Sequence, residues 1–134
     1  KEINRLHNTR VPLYPCKVFF SVNLKKMNKF LGLTHETKDF GGFTTKYYTD
    51  TNLAVCIYLD AESHSVVLAD LAHEVYHAVM IICDHVGLYP DVESNEEGAY
   101  LTGWLFGWVL DCLSKDHTLQ KKKMQIKDEK SNKG

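Results

Sequence analysis

Apolar residues recur at helical spacing from Val66 to Ile82, and set among them are the acidic Asp70 and Glu74 and the imidazoles of His73 and His77. The run Leu71-Ala72-His73-Glu74-Val75-Tyr76-His77-Ala78 reads H-E-x-x-H. Its periodicity predicts a helix with almost no solvated face, and so a buried central element. Ser63 or Ser65 is the expected N-cap and Gly87 the expected stop. Positions i and i+4 of a helix lie one above the other on a single face. His73 and His77 can therefore offer two imidazole nitrogens to one metal ion. Glu74, one position on, is placed to take a proton from an attacking water. Histidine and glutamate are costly inside such a helix unless bound or hydrogen-bonded.

Two histidines leave a metal short of ligands. The pattern H-E-x-x-H-x-x-G-x-x-H fails, because Met80 stands at the Gly position and Cys83 at the last His position. Asp84 follows His77 by seven residues, roughly 10 Å along the axis at 1.5 Å per residue, too far to share an ion. A carboxylate on the next helix is the better candidate, giving a His₂Glu set. That helix is expected to open at Ser94-Asn95-Glu96-Glu97. Ser94-x-x-Glu97 has the form of a capping box, which occupies Glu97 locally and leaves Glu96 as the expected ligand. Tyr100, one turn after Glu96, could orient a ligand or steady an oxyanion.

The order of H-E-x-x-H, a loop, then Asn95-Glu96-Glu97 at a helix start resembles the gluzincin arrangement of thermolysin-like metallopeptidases. The separation in those enzymes fits Glu97 slightly better, so both glutamates stand at this point. A longer resemblance runs over residues 66–108. The segments Leu71-Ala72-His73-Glu74-x-x-His77, Asp84-x-Val86-Gly87 and Asn95-Glu96-x-x-Ala99-Tyr100-Leu101-x-Gly103-Trp104 are similar to small zincin-like proteins of phages and prophages. The likeness implies a minimal zincin-like domain holding Zn²⁺ on His73, His77 and Glu96, with Glu74 as base. Resemblance to zincins in general implies that one strand edges the active-site cleft, where a peptide or protein substrate of unknown identity could add as an extra strand. Leu53–Leu59, which runs toward the motif helix, is the expected strand near the site.

Read in order, residues 1–15 form a polar, extended lead-in with Pro12 and Pro15. Residues 16–22 read as a strand, rich in β-branched and aromatic residues. Asn23 then caps a helix over 24–31, which Gly32 stops. Phe40-Gly41-Gly42-Phe43 reads as a turn, 44–48 as a second strand, Asp50-Thr51-Asn52 as a hairpin turn and 53–59 as a third strand. Strands followed by helices predict an α+β domain over 1–113, with about three mostly antiparallel strands packed on the two helices. Gly103 and Gly107, four apart, predict close approach of another helix. Trp104 and Trp108 make a parallel aromatic stripe that reads as core.

From Ser114 seven lysines outweigh three acidic residues, and 114–134 reads as a solvated, mobile tail or a frayed helix. A net charge of −1 over 134 residues argues against a nucleic-acid surface, except through that tail. No apolar run is long enough to span a membrane and no signal peptide is visible. Cys16, Cys56, Cys83 and Cys112 lack metal-site spacing and read as reduced, buried thiols, which points to the cytoplasm, in a bacterial host if the chain is phage-encoded. Two function classes follow: a zinc-dependent peptidase, or a non-enzymatic zincin-fold module whose metal serves stability, binding or phage assembly. The intact Glu74 favours the enzyme, because a purely structural site has no use for it.

Overall fold

Leu53-Ala54-Val55-Cys56-Ile57-Tyr58-Leu59 has no polar residue to turn toward water on either face. A computed structural model, which describes residues 5–35, 41–49, 52–61 and 68–132 with side chains to Asp116, buries all seven of them in one strand. In chain order the elements are β1 (His7–Arg10), β2 (Cys16–Ser21), α1 (Leu24–Leu31), β3 (Gly42–Tyr48), β4 (Leu53–Leu59), α2 (Leu68–Val86) and α3 (Glu96–Asn132). The sheet order is β1-β2-β4-β3. β1 and β2 pair antiparallel, β2 and β4 parallel, and β3 and β4 antiparallel.

The domain is α+β, as its pattern predicts, but the sheet has four strands and is mixed. The extra strand is β1, in the expected lead-in. His7-Asn8-Thr9-Arg10 has little strand character of its own; pairing with β2 over His7↔Phe20 to Arg10↔Lys17 supplies it. Leu53–Leu59 does not edge the site either. It lies between β2 and β3, and β3 is the strand at that border of the sheet. A strand apolar on both faces has to sit in the middle, with cover above and below.

Side-chain alternation sorts that cover. Leu53, Val55, Ile57 and Leu59 join Val18 and Phe20 beneath α2 and α3. Cys56 and Tyr58 pack on the other face with Leu24 and Met27 of α1. The α1 boundaries follow from local chemistry. The Asn23 side chain accepts from Lys26 N at 3.0 Å, and Gly32 closes the helix in the left-handed region at φ 70°. Gly87, at φ 79°, ends α2 in the same way, with Leu88 N donating to Cys83 O at 2.8 Å. The expected caps Ser63 and Ser65, and the hairpin positions Asp50 and Thr51, lie outside the described residues.

In α3, Leu101, Leu105 and Val109 are fully buried, and Trp104 and Trp108 lie half-buried against the core. Gly103 and Gly107 face away. A Cβ built at either meets nothing within 4 Å. The expected close approach at this face is therefore not found among the described residues. The helix also continues through the stretch read as a tail, and Asp116 is buried there.

Asp116 reaches back to the first strand. His7 Nε2 lies 3.3 Å from Asp116 Oδ2, and Arg5 Nε–H donates to His7 Nδ1 at 3.1 Å. With Nδ1 accepting, the ring proton sits on Nε2 and is given to the carboxylate. Burial lowers the His7 pKa below its usual 6.5, and it outweighs the hydrogen bond and charge of Asp116, which act the other way.

Two outcomes are expected. Gly103→Ala should raise stability by up to about 1 kcal/mol, since an exposed helical glycine gains propensity and meets no neighbour; a loss in chemical denaturation would mean that a partner covers this face. His7 should tie stability to pH. The unfolded chain takes up a proton below about pH 6.5 that the folded chain resists, so folding weakens as pH falls through that value. Relative to His7→Gln, the wild type should lose up to about 1.4 kcal/mol per pH unit there. Denaturation curves at pH 7.5, 6.5 and 5.5 test this, and a constant difference between the two proteins would refute it.

Candidate metal centre

Helix α2 packs one face on the sheet and a second against α3, and among the described residues the remaining face stays exposed. Leu71, Glu74, Val75, Ala78, Val79, Ile82 and Cys83 are buried. Ala69, Ala72, His73, Tyr76, His77, Met80 and Asp84 are exposed. The expectation of a helix with almost no solvated face is thus corrected. One layer of two helices on a narrow sheet leaves an outer stripe, and Leu68 and Ala72, counted among the apolar residues that made the helix look fully internal, are exposed. Both histidines stand on this stripe, so their desolvation is small.

His73 Nε2 and His77 Nε2 converge to 3.1 Å, with the rings crossed at 77°. Either one ring donates to the other or both lone pairs face a common cation. Two nitrogens at 2.0–2.1 Å from a tetrahedral zinc lie about 3.3–3.4 Å apart. The observed separation is within a few tenths of an ångström of that, so the pair fits the ion with little movement. One oxygen of Glu74 completes a group whose ligand atoms all lie within 4.8 Å of one another. No other such group of His, Cys, Asp and Glu occurs among the described residues.

Glu74 differs from its neighbours in exposure. It is 7% exposed and turned under β3. Thr44 Oγ1 lies 2.7 Å from Glu74 Oε1 and 3.1 Å from the Glu74 carbonyl oxygen. Thr44 was not among the residues singled out by sequence. Its only signal is alternation: Thr44, Lys46 and Tyr48 share the β3 side that meets α2, and a small hydroxyl there falls at the level of the motif. Further along, Thr44, Lys46, His77, Met80, Ile81 and Asp84 line a depression of about 340 Å³ between strand and helix.

The carboxylates expected from α3 are not part of this group. Glu96, Glu97 and Tyr100 line a separate depression with Leu13 and Tyr14 of the β1–β2 turn. The Glu97 charge reaches Cys83, whose thiol is pushed up first by burial and then by that carboxylate. Cys83 follows His77 by six residues, about 9 Å along the helix. The capping box is also not formed. Among the described residues Ser94 and Glu97 share no hydrogen bond. Asp91 organises the turn instead, accepting from Ser94 N at 2.7 Å and Glu93 N at 2.9 Å. Asn95 O takes the first helical bond, from Ala99 N. The local reason for preferring Glu96 over Glu97 therefore falls away.

All four cysteines are free and buried, as expected. Burial pushes Cys56 up to about 12 and Cys112 to about 11, so neither offers a thiolate to a metal near neutral pH. No helix among the described residues is long and apolar enough to cross a membrane. Comparison with protein-family models, curated proteins and solved structures finds no match to this chain.

Native mass spectrometry of the zinc-treated chain should show about one ion per chain. His73→Ala and His77→Ala should each abolish it, because a lone imidazole beside Glu74 is a poor zinc site. Full zinc retention by either variant would remove the pair from the site.

Proposed function

We propose that this chain is a zinc-dependent peptidase of zincin type, with His73 and His77 as ligands and Glu74 as general base. One observation carries the reading: two Nε2 atoms 3.1 Å apart on an open helix face, with a buried carboxylate one residue away and tied to the neighbouring strand. Zinc bound there would supply a Lewis acid and bring the pKa of a coordinated water to about 7.

The chain's own residues do the rest. Glu74 takes the proton of the attacking water and returns it to the leaving amine, so the reaction conserves protons. The outer edge of β3 carries no strand among the described residues. A peptide laid along it would receive backbone hydrogen bonds and run past His77 and Glu74. Glu96 remains the proposed third ligand with Glu97 as its rival, and either requires the start of α3 to move toward the histidines. Tyr100, on the same turn, would come with it and serve the oxyanion. The four reduced thiols support a cytoplasmic setting.

The second reading, a zincin-fold module that binds or assembles rather than cleaves, is favoured by the exposure of both histidines and the distance of the α3 glutamates. Glu74→Gln separates the two. It keeps the shape but cannot hold the proton, so zinc content and fold should be unchanged while hydrolysis of a broad peptide library falls by about 10²–10⁴-fold. Equal cleavage by both proteins refutes Glu74 as base. No cleavage by the zinc-loaded wild type supports the module.

A further inference from the structure

We infer that Thr44 is a positioning residue, whose hydroxyl holds the Glu74 carboxylate turned toward the His73–His77 pair; the inference rests on the zinc-site reading above. Thr44 has one hydroxyl proton and two acceptors within reach. The carboxylate oxygen, at 2.7 Å, is at the usual O–H···O distance, whereas the carbonyl, at 3.1 Å, is beyond it. The proton therefore goes to the carboxylate. The carbonyl of Glu74 in any case takes its helical bond within α2.

The geometry of the donor matters as much as the bond. Threonine is branched at Cβ and stiff at χ1. Thr44 also sits in mid-strand, opposite Ile57 on the fully buried β4. The hydroxyl is thus fixed by the sheet rather than by α2. A glutamate side chain has three torsions to lose, and this bond selects one arrangement. It occupies one carboxylate oxygen; the other has no hydrogen-bond partner among the described residues and is free to take a proton. Two elements build the base: α2 supplies Glu74 and the edge strand aims it.

The test uses the full chain loaded with Co²⁺, whose visible bands report on its ligands, and acetohydroxamate as probe. A hydroxamic acid chelates the ion through two oxygens and gives its O–H proton to an adjacent base, so its affinity reads the placement of Glu74 without any substrate. Thr44→Val should weaken binding about two- to tenfold, the range of one hydrogen bond, while Thr44→Ser keeps it. Thr44→Ala should match Thr44→Val, and cobalt content should be the same in all. In a Glu74→Gln background Thr44→Val should have no further effect, because the hydroxyl acts only through that carboxylate. A merely structural role would give additive losses. Wild-type affinity in Thr44→Val, or additivity with Glu74→Gln, overturns the inference alone. Absence of cobalt bands sensitive to His73→Ala overturns it together with the metal site.

Discussion

The rest of the fold follows from the need to cover β4 on both faces. A seven-residue strand without a polar side chain must lie inside the sheet and between layers. One layer is α1, eight residues long and cut off by Gly32. The other is the pair α2 and α3. Two helices suffice to cover a narrow sheet, and among the described residues no third helix or strand lies over them. The outer side of α2 is consequently wet, and it is there that the two histidines emerge.

What could be read beforehand was what local chemistry decides. Asn23 and Gly32 bound α1, Gly87 ends α2, and the apolar run 53–59 is a strand, because caps, left-handed stops and runs of β-branched residues act within a few positions of themselves. The misreadings depended on neighbours. His7–Arg10 is a strand through its pairing with β2. The apparent absence of a solvated face on α2 came from counting Ala72 and its like as core residues, when exposed alanine is common. Ser94-x-x-Glu97 had the right spacing for a capping box, yet Asp91 accepts the backbone protons of the turn first and the helix starts one residue later than that box needs. At the site, His73, Glu74 and His77 were legible because helical spacing alone brings them together. Thr44 was not, because it is thirty residues away and arrives through the β3–β4 register.

Two buried polar contacts tie distant parts of the chain together. His7 and Asp116 satisfy each other, with Arg5 closing the second ring nitrogen, and the result ties β1 to the far part of α3. Glu74 is held by one oxygen only. Its bond from Thr44 Oγ1 joins α2 to β3. The exposed imidazoles of His73 and His77 stand beside that carboxylate.

The rotation of α2 makes that combination possible. Successive residues turn by about 100°, so His73 and Glu74 cannot face the same way. Were the helix rolled toward β3, the histidines would be buried beneath the strand and closed to solvent. Rolled outward, it would expose Glu74 and lose the Thr44 contact. The core side fixes the roll, since Leu71, Val75, Ala78 and Ile82 must face the sheet. The packing stripe thereby sets Glu74 at the border between strand and water and His73 and His77 just outside it. The apolar pattern of α2 is in this sense part of the site: it determines which of the three ionisable groups meets solvent and which meets the strand.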